Sequence, residues 1–237
     1  MKRFILLILG IFLSACTSLP NIKPVDFGAE NIMTDPCAIP FSEGKKRWTH
    51  TIEAAFPGGG SSMMIGIALT DSDTQTIHSV MMTLEGMVLF DGEQGSDGTL
   101  TVNRAVPPFD DPDMAAGMIR DMRMIFYPPE GERIASGRFP DSASGCRFRM
   151  ENGEVTDVKI RPAGNWEIFR YKKSGKLIRS VKASQIKTGQ IKIDQVKIDH
   201  VKIDQVKNSL PHRIELEGRG VFGYRLVLKL IEAGAWE

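Results

Sequence analysis

The chain has 237 residues, 42% of them apolar and 25% charged, with 23 glycines and 13 prolines. That is ordinary globular composition, long enough for one domain with a sizeable core. A formal net charge of +1 supplies no basic field, so nucleic acid is not an expected partner.

The N-terminus reads MKRFILLILGIFLSACTSLP. Lys2 and Arg3 form a positive start, and Phe4 to Leu13 form an apolar run too short to cross a bilayer as a helix. Leu13-Ser14-Ala15-Cys16 follows at once, and the whole stretch resembles a bacterial lipoprotein signal with its lipobox. The resemblance implies removal of residues 1–15 and acylation of Cys16 on sulfur and on its new amino group. It also implies a membrane partner held through those acyl chains, which exceed the two signals needed for stable anchoring. Cleavage would remove Lys2 and Arg3 and take the net charge to −1. Thr17 stands where an aspartate commonly retains lipoproteins in the inner membrane. The expected location is therefore the outer membrane of a Gram-negative cell, facing the periplasm. Cys37 and Cys146 would then meet an oxidising compartment, and a disulfide between them is expected.

Residues 16–45 carry four prolines and little periodicity and read as a lipidated tether leading into a single domain over 46–237. From Lys46 the pattern is strand-like. KRWTHTIEAAF, MMIGIALT, TIHSVMMTL, MVLFDGEQ and GTLTVNRA are short β-rich runs closed by Gly, Asp or Pro. PGGGSS between the first two lacks a following Gly-Lys-Ser/Thr and is a turn cluster, not a phosphate loop. One helix is predicted in DDPDMAAGMIRDMRMIFYPP, with Asp110 or Asp111 as cap, Pro112 in the first turn and Pro128-Pro129 as the stop. Met114, Met118, Met122 and Ile125 form its apolar stripe. The carboxylates Asp110, Asp111 and Asp113 read as capping residues and not as a catalytic pair.

Strands resume in CRFRMENGEVTDVKI, with a hairpin at Asn152-Gly153, and in NWEIFRYKKSGKLIRSVKA, with a hairpin at Ser174-Gly175. HRIELEG and YRLVLKLIE close the chain. Between the last two hairpins lies QIKIDQVKIDHVKIDQVK, whose apolar gaps alternate two and three and fit neither strand nor helix. We read residues 188–207 as a loop insertion, joining VKASQIK to NSLPHRIEL as a strand-to-strand connection.

His50, His78, His200 and His212 have no metal-ligand spacing, and neither Gly-x-Ser-x-Gly nor His-Glu-x-x-His occurs. A non-enzymatic protein without cofactor or metal is expected. The segment DGTLTVNRAVPPFDDPDMAAGMIRDMRMIFYP, Asp97 to Pro128, carries a DG-x-L-x-V-x-R-A run, a Pro-rich bend, a helix and an aromatic-Pro end. In that order it resembles a LolB-like group within the LolA/LolB lipoprotein carriers. The resemblance implies a mainly β (α+β) fold, a curved, unclosed antiparallel barrel with a central helical lid, and a cargo of lipid or lipoprotein. Nine of the twelve methionines lie between Met63 and Met124, which suits either adaptable contact with acyl chains or the filling of an irregular core. Two readings follow: a lipid or lipoprotein carrier with an apolar cavity under Met114, Met118, Met122 and Ile125, or a structural or assembly lipoprotein with a filled core.

Overall fold

The computed structural model describes residues 19–25, 37–38, 40–55, 60–185, 210–220 and 223–236. Cys16 and the pentad repeat lie outside them. The elements are β1 (Lys23–Pro24), β2 (Lys45–Ala55), β3 (Ser61–Asp71), β4 (Thr76–Met82), β5 (Val88–Gln94), β6 (Leu100–Ala105), α1 (Pro112–Phe126), β7 (Glu132–Arg138), β8 (Ser144–Arg149), β9 (Val155–Ile160), β10 (Trp166–Tyr171), β11 (Leu177–Ser184), β12 (Arg213–Gly218) and β13 (Tyr224–Ala235). Among the described residues the strands form one antiparallel sheet in the order β1-β7-β8-β9-β10-β11-β12-β13-β2-β3-β4-β5-β6. The mainly β, unclosed antiparallel fold with a central helix is thus the one observed.

Two meanders build this sheet, β2 to β6 and β7 to β13, and they join where the last strand pairs with β2. The chain leaves the first meander at β6, one edge, and re-enters at β7, beside the two-residue edge strand β1. Its connection must therefore pass across a sheet face, and α1 makes that passage. Asp111 caps the helix, its carboxylate accepting from the Met114 amide at 3.0 Å, with Pro112 in the first turn. At the other end the helix is pinned. Arg123 Nη1 donates to the Gln75 carbonyl at 2.8 Å, the Tyr127 hydroxyl accepts from the Asp71 amide at 3.1 Å and donates to the Thr76 carbonyl, and Phe126 packs on Trp48 at 5.2 Å between ring centroids.

The cross-strand register turns one set of side chains toward α1. Ala54, Ile52, His50 and Trp48 of β2 face Ser62, Met64, Gly66 and Ala68 of β3, and these in turn face Met81 and Ser79 of β4. On the other side Leu226 and Leu228 face Leu216 and Ile214, and Val181 faces Ile168. Residues of β5 and of β11 both reach one space under α1. These strands are six neighbours apart, roughly 29 Å across a flat sheet at about 4.8 Å per strand, whereas a helix is only about 10 Å wide. The sheet must therefore curl around the helix.

The segment read as a tether is seated on the sheet over part of its length. Ile22 is buried, Lys23–Pro24 pair with Arg138–Gly137, and Arg147 Nη2 donates to the Pro20 carbonyl at 2.7 Å. Gly137 is needed there, because a Cβ would collide with the Lys23 carbonyl. Cys37 is joined to Cys146, their Cα atoms 6.0 Å apart and 109 residues apart in sequence.

The strands flanking the repeat are direct partners, Ser184 pairing with Arg213. Deleting Gly189 to Gln205 is expected to move the melting temperature by no more than a few degrees, because closure entropy grows only with the logarithm of loop length. Calorimetric melting of the deletion variant checks this; a loss of several kcal/mol would mean that the pentads are packed structure.

Candidate functional site

A cavity of about 670 Å³ lies between α1 and the sheet. It exists because the residues facing the middle of the helix are small. Ala68 and Ser79 are cross-strand partners on β3 and β4 and carry little side chain, whereas Gly66 lies under the side chain of Ile52. Met64, Met81, Phe90, Leu216, Leu226 and Leu228 complete the sheet side. Met114, Met118, Met122 and Ile125 all line the helix side. The three methionines are half-buried, whereas Ala115, Ile119, Met124 and Ile125 are buried. The methionine stripe thus packs partly against the core and partly lines the cavity.

Asp111, Asp113 and Arg120 of α1 line the cavity at exposed positions, and two further polar features are less exposed. His50 is buried in its wall, with the Phe126 ring at 6.3 Å. Burial lowers its pKa from 6.5 to about 4, so the imidazole is neutral at pH 7. The unfolded chain takes up the proton as pH falls through 6.5, and the folded chain does so only near 4. Stability is therefore lost between these values and not further below them, by about 3 kcal/mol at about 1.4 kcal/mol per pH unit. Denaturant titrations of wild type and His50→Leu across that window check it: the wild-type curve should fall relative to the variant, and parallel curves would refute the buried neutral imidazole.

The second polar group is a cluster. Asp121 projects from α1 into the cavity wall, where Arg179 Nε donates to its Oδ1 at 3.0 Å and the Tyr224 hydroxyl donates to Oδ2. Burial pushes the Asp121 carboxyl up, against the pull of Arg179 and Tyr224 in the other direction. The Tyr224 ring lies over Gly218, where a Cβ would strike it, and the Arg179 guanidinium lies 5.4 Å from the ring centroid. None of these three residues stood out in the sequence. The one available signal was Asp121, a charge flanked by Met118 and Met122 on an otherwise apolar stripe.

Elsewhere, His78 Nε2 lies 2.9 Å from Asp91 Oδ1, which also accepts from Asn103 Nδ2 at 3.1 Å. His78 neighbours the inward-facing Ile77 and Ser79 along β4, so alternation turns it away from the cavity. Among the described residues no group of three or more His, Cys, Asp or Glu side chains is placed to hold a metal ion.

No protein-family model and no curated protein matches the chain. Its fold is similar to those of two solved structures. One is a LolA superfamily protein from Nitrosomonas europaea, at 12% identity and TM-score 0.48, with 85% of this chain and 90% of that one covered. The other is a putative outer membrane lipoprotein-sorting protein domain from Vibrio parahaemolyticus, at 8% identity and TM-score 0.46, with 84% of this chain and 88% of that one covered.

Proposed function

We propose that the protein is a membrane-anchored, non-enzymatic binder or carrier of lipid or acylated cargo, tethered through acyl chains on Cys16 to the outer membrane and facing the periplasm. The observation that carries this reading is the apolar cavity of about 670 Å³ under the methionine stripe. A space of that size lined mostly by apolar side chains leaves hydrocarbon surface against water when nothing fills it, which is unfavourable. It is better understood as space for an apolar guest. Its volume falls in the range of small-molecule sites, and its lining has the apolar majority with a few fixed polar groups that such sites share. Unbranched, polarizable methionines tolerate guests of varied shape, which suits acyl chains of mixed length. The filled-core alternative would need side chains where Ala68 and Ser79 leave room.

The test uses a Cys16→Ala form, which should be unlipidated and either soluble or left unprocessed. Native mass spectrometry after detergent-free purification should show the chain carrying a mass of acyl lipid. A chain that is empty in every preparation, or a Cys16→Ala variant that is still processed and stays embedded in membranes, would overturn the corresponding half of the reading.

A further inference from the structure

Two buried polar side chains of the cavity wall are without a hydrogen-bond partner among the described residues. They are His50 and Ser79, 4% and 2% exposed, and both line the cavity. The other polar groups around the space are served differently. Asp111 caps α1, Asp121 is held by Arg179 and Tyr224, and Asp113 and Arg120 are exposed. Thr156 and Arg170 have unpartnered atoms sealed within protein; the His50 nitrogens and the Ser79 oxygen are not among such sealed atoms, and the space they border is the cavity. Buried polar atoms are nearly always satisfied, so a guest that fills this space is the natural source of their partner.

Both residues stand beside the room left by Ala68. Ser79 is the cross-strand partner of Ala68, and Ala68 of Trp48, while His50 follows Trp48 by two residues on the same face of β2. Their Cα atoms would be roughly 12 Å apart on a flat sheet, two strand spacings by two residues, and the curl of the sheet brings the side chains of its concave face nearer. They mark two points on one guest, not two bonds to one atom. His50 also borders a separate space of about 10 Å³ beside Ser42 and Trp166, room for a single water. Such a water serves one ring nitrogen and leaves the other to the cavity. The imidazole is neutral at pH 7, with one donor and one acceptor. Around the cavity the carboxylates Asp111, Asp113 and Asp121 outnumber the guanidiniums Arg120 and Arg179, so the wall holds no surplus positive charge for an anion. It offers uncharged hydrogen bonding within an apolar lining, which matches an ester: its oxygens accept without carrying charge, and hydrocarbon continues beside them.

We infer that His50 and Ser79 form an ester-binding site in the cavity wall: the His50 N–H donates to one carbonyl oxygen of an uncharged acylglyceryl group, the Ser79 hydroxyl donates to a second oxygen of that group, and the acyl chains run beneath Met114, Met118 and Met122. This rests on the cavity reading above and names the class of guest. An acylglyceryl group occurs both in a free glyceride and in the lipid anchor of an acylated protein, and the experiment has an arm for each.

The Cys16→Ala chain, stripped of bound lipid, is titrated calorimetrically with three probes. They are dioctanoylglycerol, its dioctyl ether counterpart, which lacks both carbonyls, and a short peptide bearing the dioctanoylglyceryl group on an N-terminal cysteine. The diester should bind about fivefold or more tighter than the diether, the worth of one hydrogen bond. His50→Leu should reduce that preference to within about twofold, and Ser79→Ala should reduce it in part; circular dichroism verifies folding of each. Ser79→Ala removes one unpartnered oxygen, so it carries the test should His50→Leu not fold. Equal binding of diester and diether would overturn the ester site and leave the cavity reading standing. So would a preference unchanged in His50→Leu, or unchanged in Ser79→Ala where His50→Leu is unfolded. A lipopeptide that binds as tightly as the diester supports the site with an acylated protein as its guest, and one that is excluded while the diester binds supports it with a free glyceride. If neither diester nor diether binds, the cavity reading itself falls, and this inference with it.

Discussion

Replacing Arg147 by alanine is expected to destabilise the folded chain by about 3–5 kcal/mol, the usual result of stripping one partner from a buried ion pair. Asp157 is fully buried. Arg147 holds it with two hydrogen bonds, Nε to Oδ1 at 2.6 Å and Nη2 to Oδ2 at 2.8 Å. The same Nη2 holds the Pro20 carbonyl, so the variant loses the seat of the N-terminal segment as well. Even with Arg147 present, burial raises the Asp157 pKa above its ordinary value. A raised carboxyl favours the fold in its protonated form, and that benefit fades as pH climbs through the folded pKa. The deficit of Arg147→Ala should accordingly shrink as pH is lowered. Replacing both partners, Arg147→Met with Asp157→Leu, should cost much less than the single change, because no charge is then left buried. Urea titrations of the three variants decide it. A single-variant loss below about 1 kcal/mol would show that Asp157 reaches water or another cation and that the pair is not the anchor described.

The parts of this architecture that could be read from the sequence are those set by local chemistry. Asp111, Pro112 and the methionine spacing mark α1 because capping and helical periodicity act within a few residues. Gly153 and Gly175 mark their hairpins because each turn requires a positive φ, here 79° and 80°. The strand β7 was not legible: ERIASGR has one large aliphatic residue and no sustained alternation, and its strand form is fixed by pairing with β8 and β1. Likewise, the Pro-rich run before Lys45 gave no sign that Ile22 would be buried or that Pro20 would be held by a residue 127 positions away. The stripe Met114, Met118, Met122 was visible, but whether it met a filled or an open surface was not. That depended on Ala68 and Ser79, two small residues whose alignment follows from the β3–β4 register. The Asp121–Arg179–Tyr224 cluster spans 103 residues, and its members meet only once β11 and β13 are placed on either side of β12.

The largest functional effect is expected at Met118, in the middle of the stripe. It lines the cavity and is half-buried, with Met114 and Met122 one turn to either side. Met118→Glu would place a carboxylate where an acyl chain is proposed to lie, and a charge facing hydrocarbon without a partner is heavily penalised. Bound lipid, read by native mass spectrometry, should fall about tenfold or more. Stability should fall far less, by about 1–2 kcal/mol or a melting shift of a few degrees. The reason is position: the helix is fixed by Phe126, Tyr127 and Arg123 at its C-terminal end, while the side chain of Met118 is only partly buried and borders the cavity, through which water can reach the new carboxylate. Ile119→Glu, one residue on, is the control. Ile119 is almost wholly buried in the packed core, so the same charge there has no route to water and should unfold the chain. The contrast between adjacent positions separates the two interpretations of the helix. If Met118→Glu unfolds the protein as Ile119→Glu does, the stripe is core, and the open space beneath it has been misread. If Met118→Glu is folded, stable and carries its lipid unchanged, the cargo lies elsewhere, and α1 does not cover it.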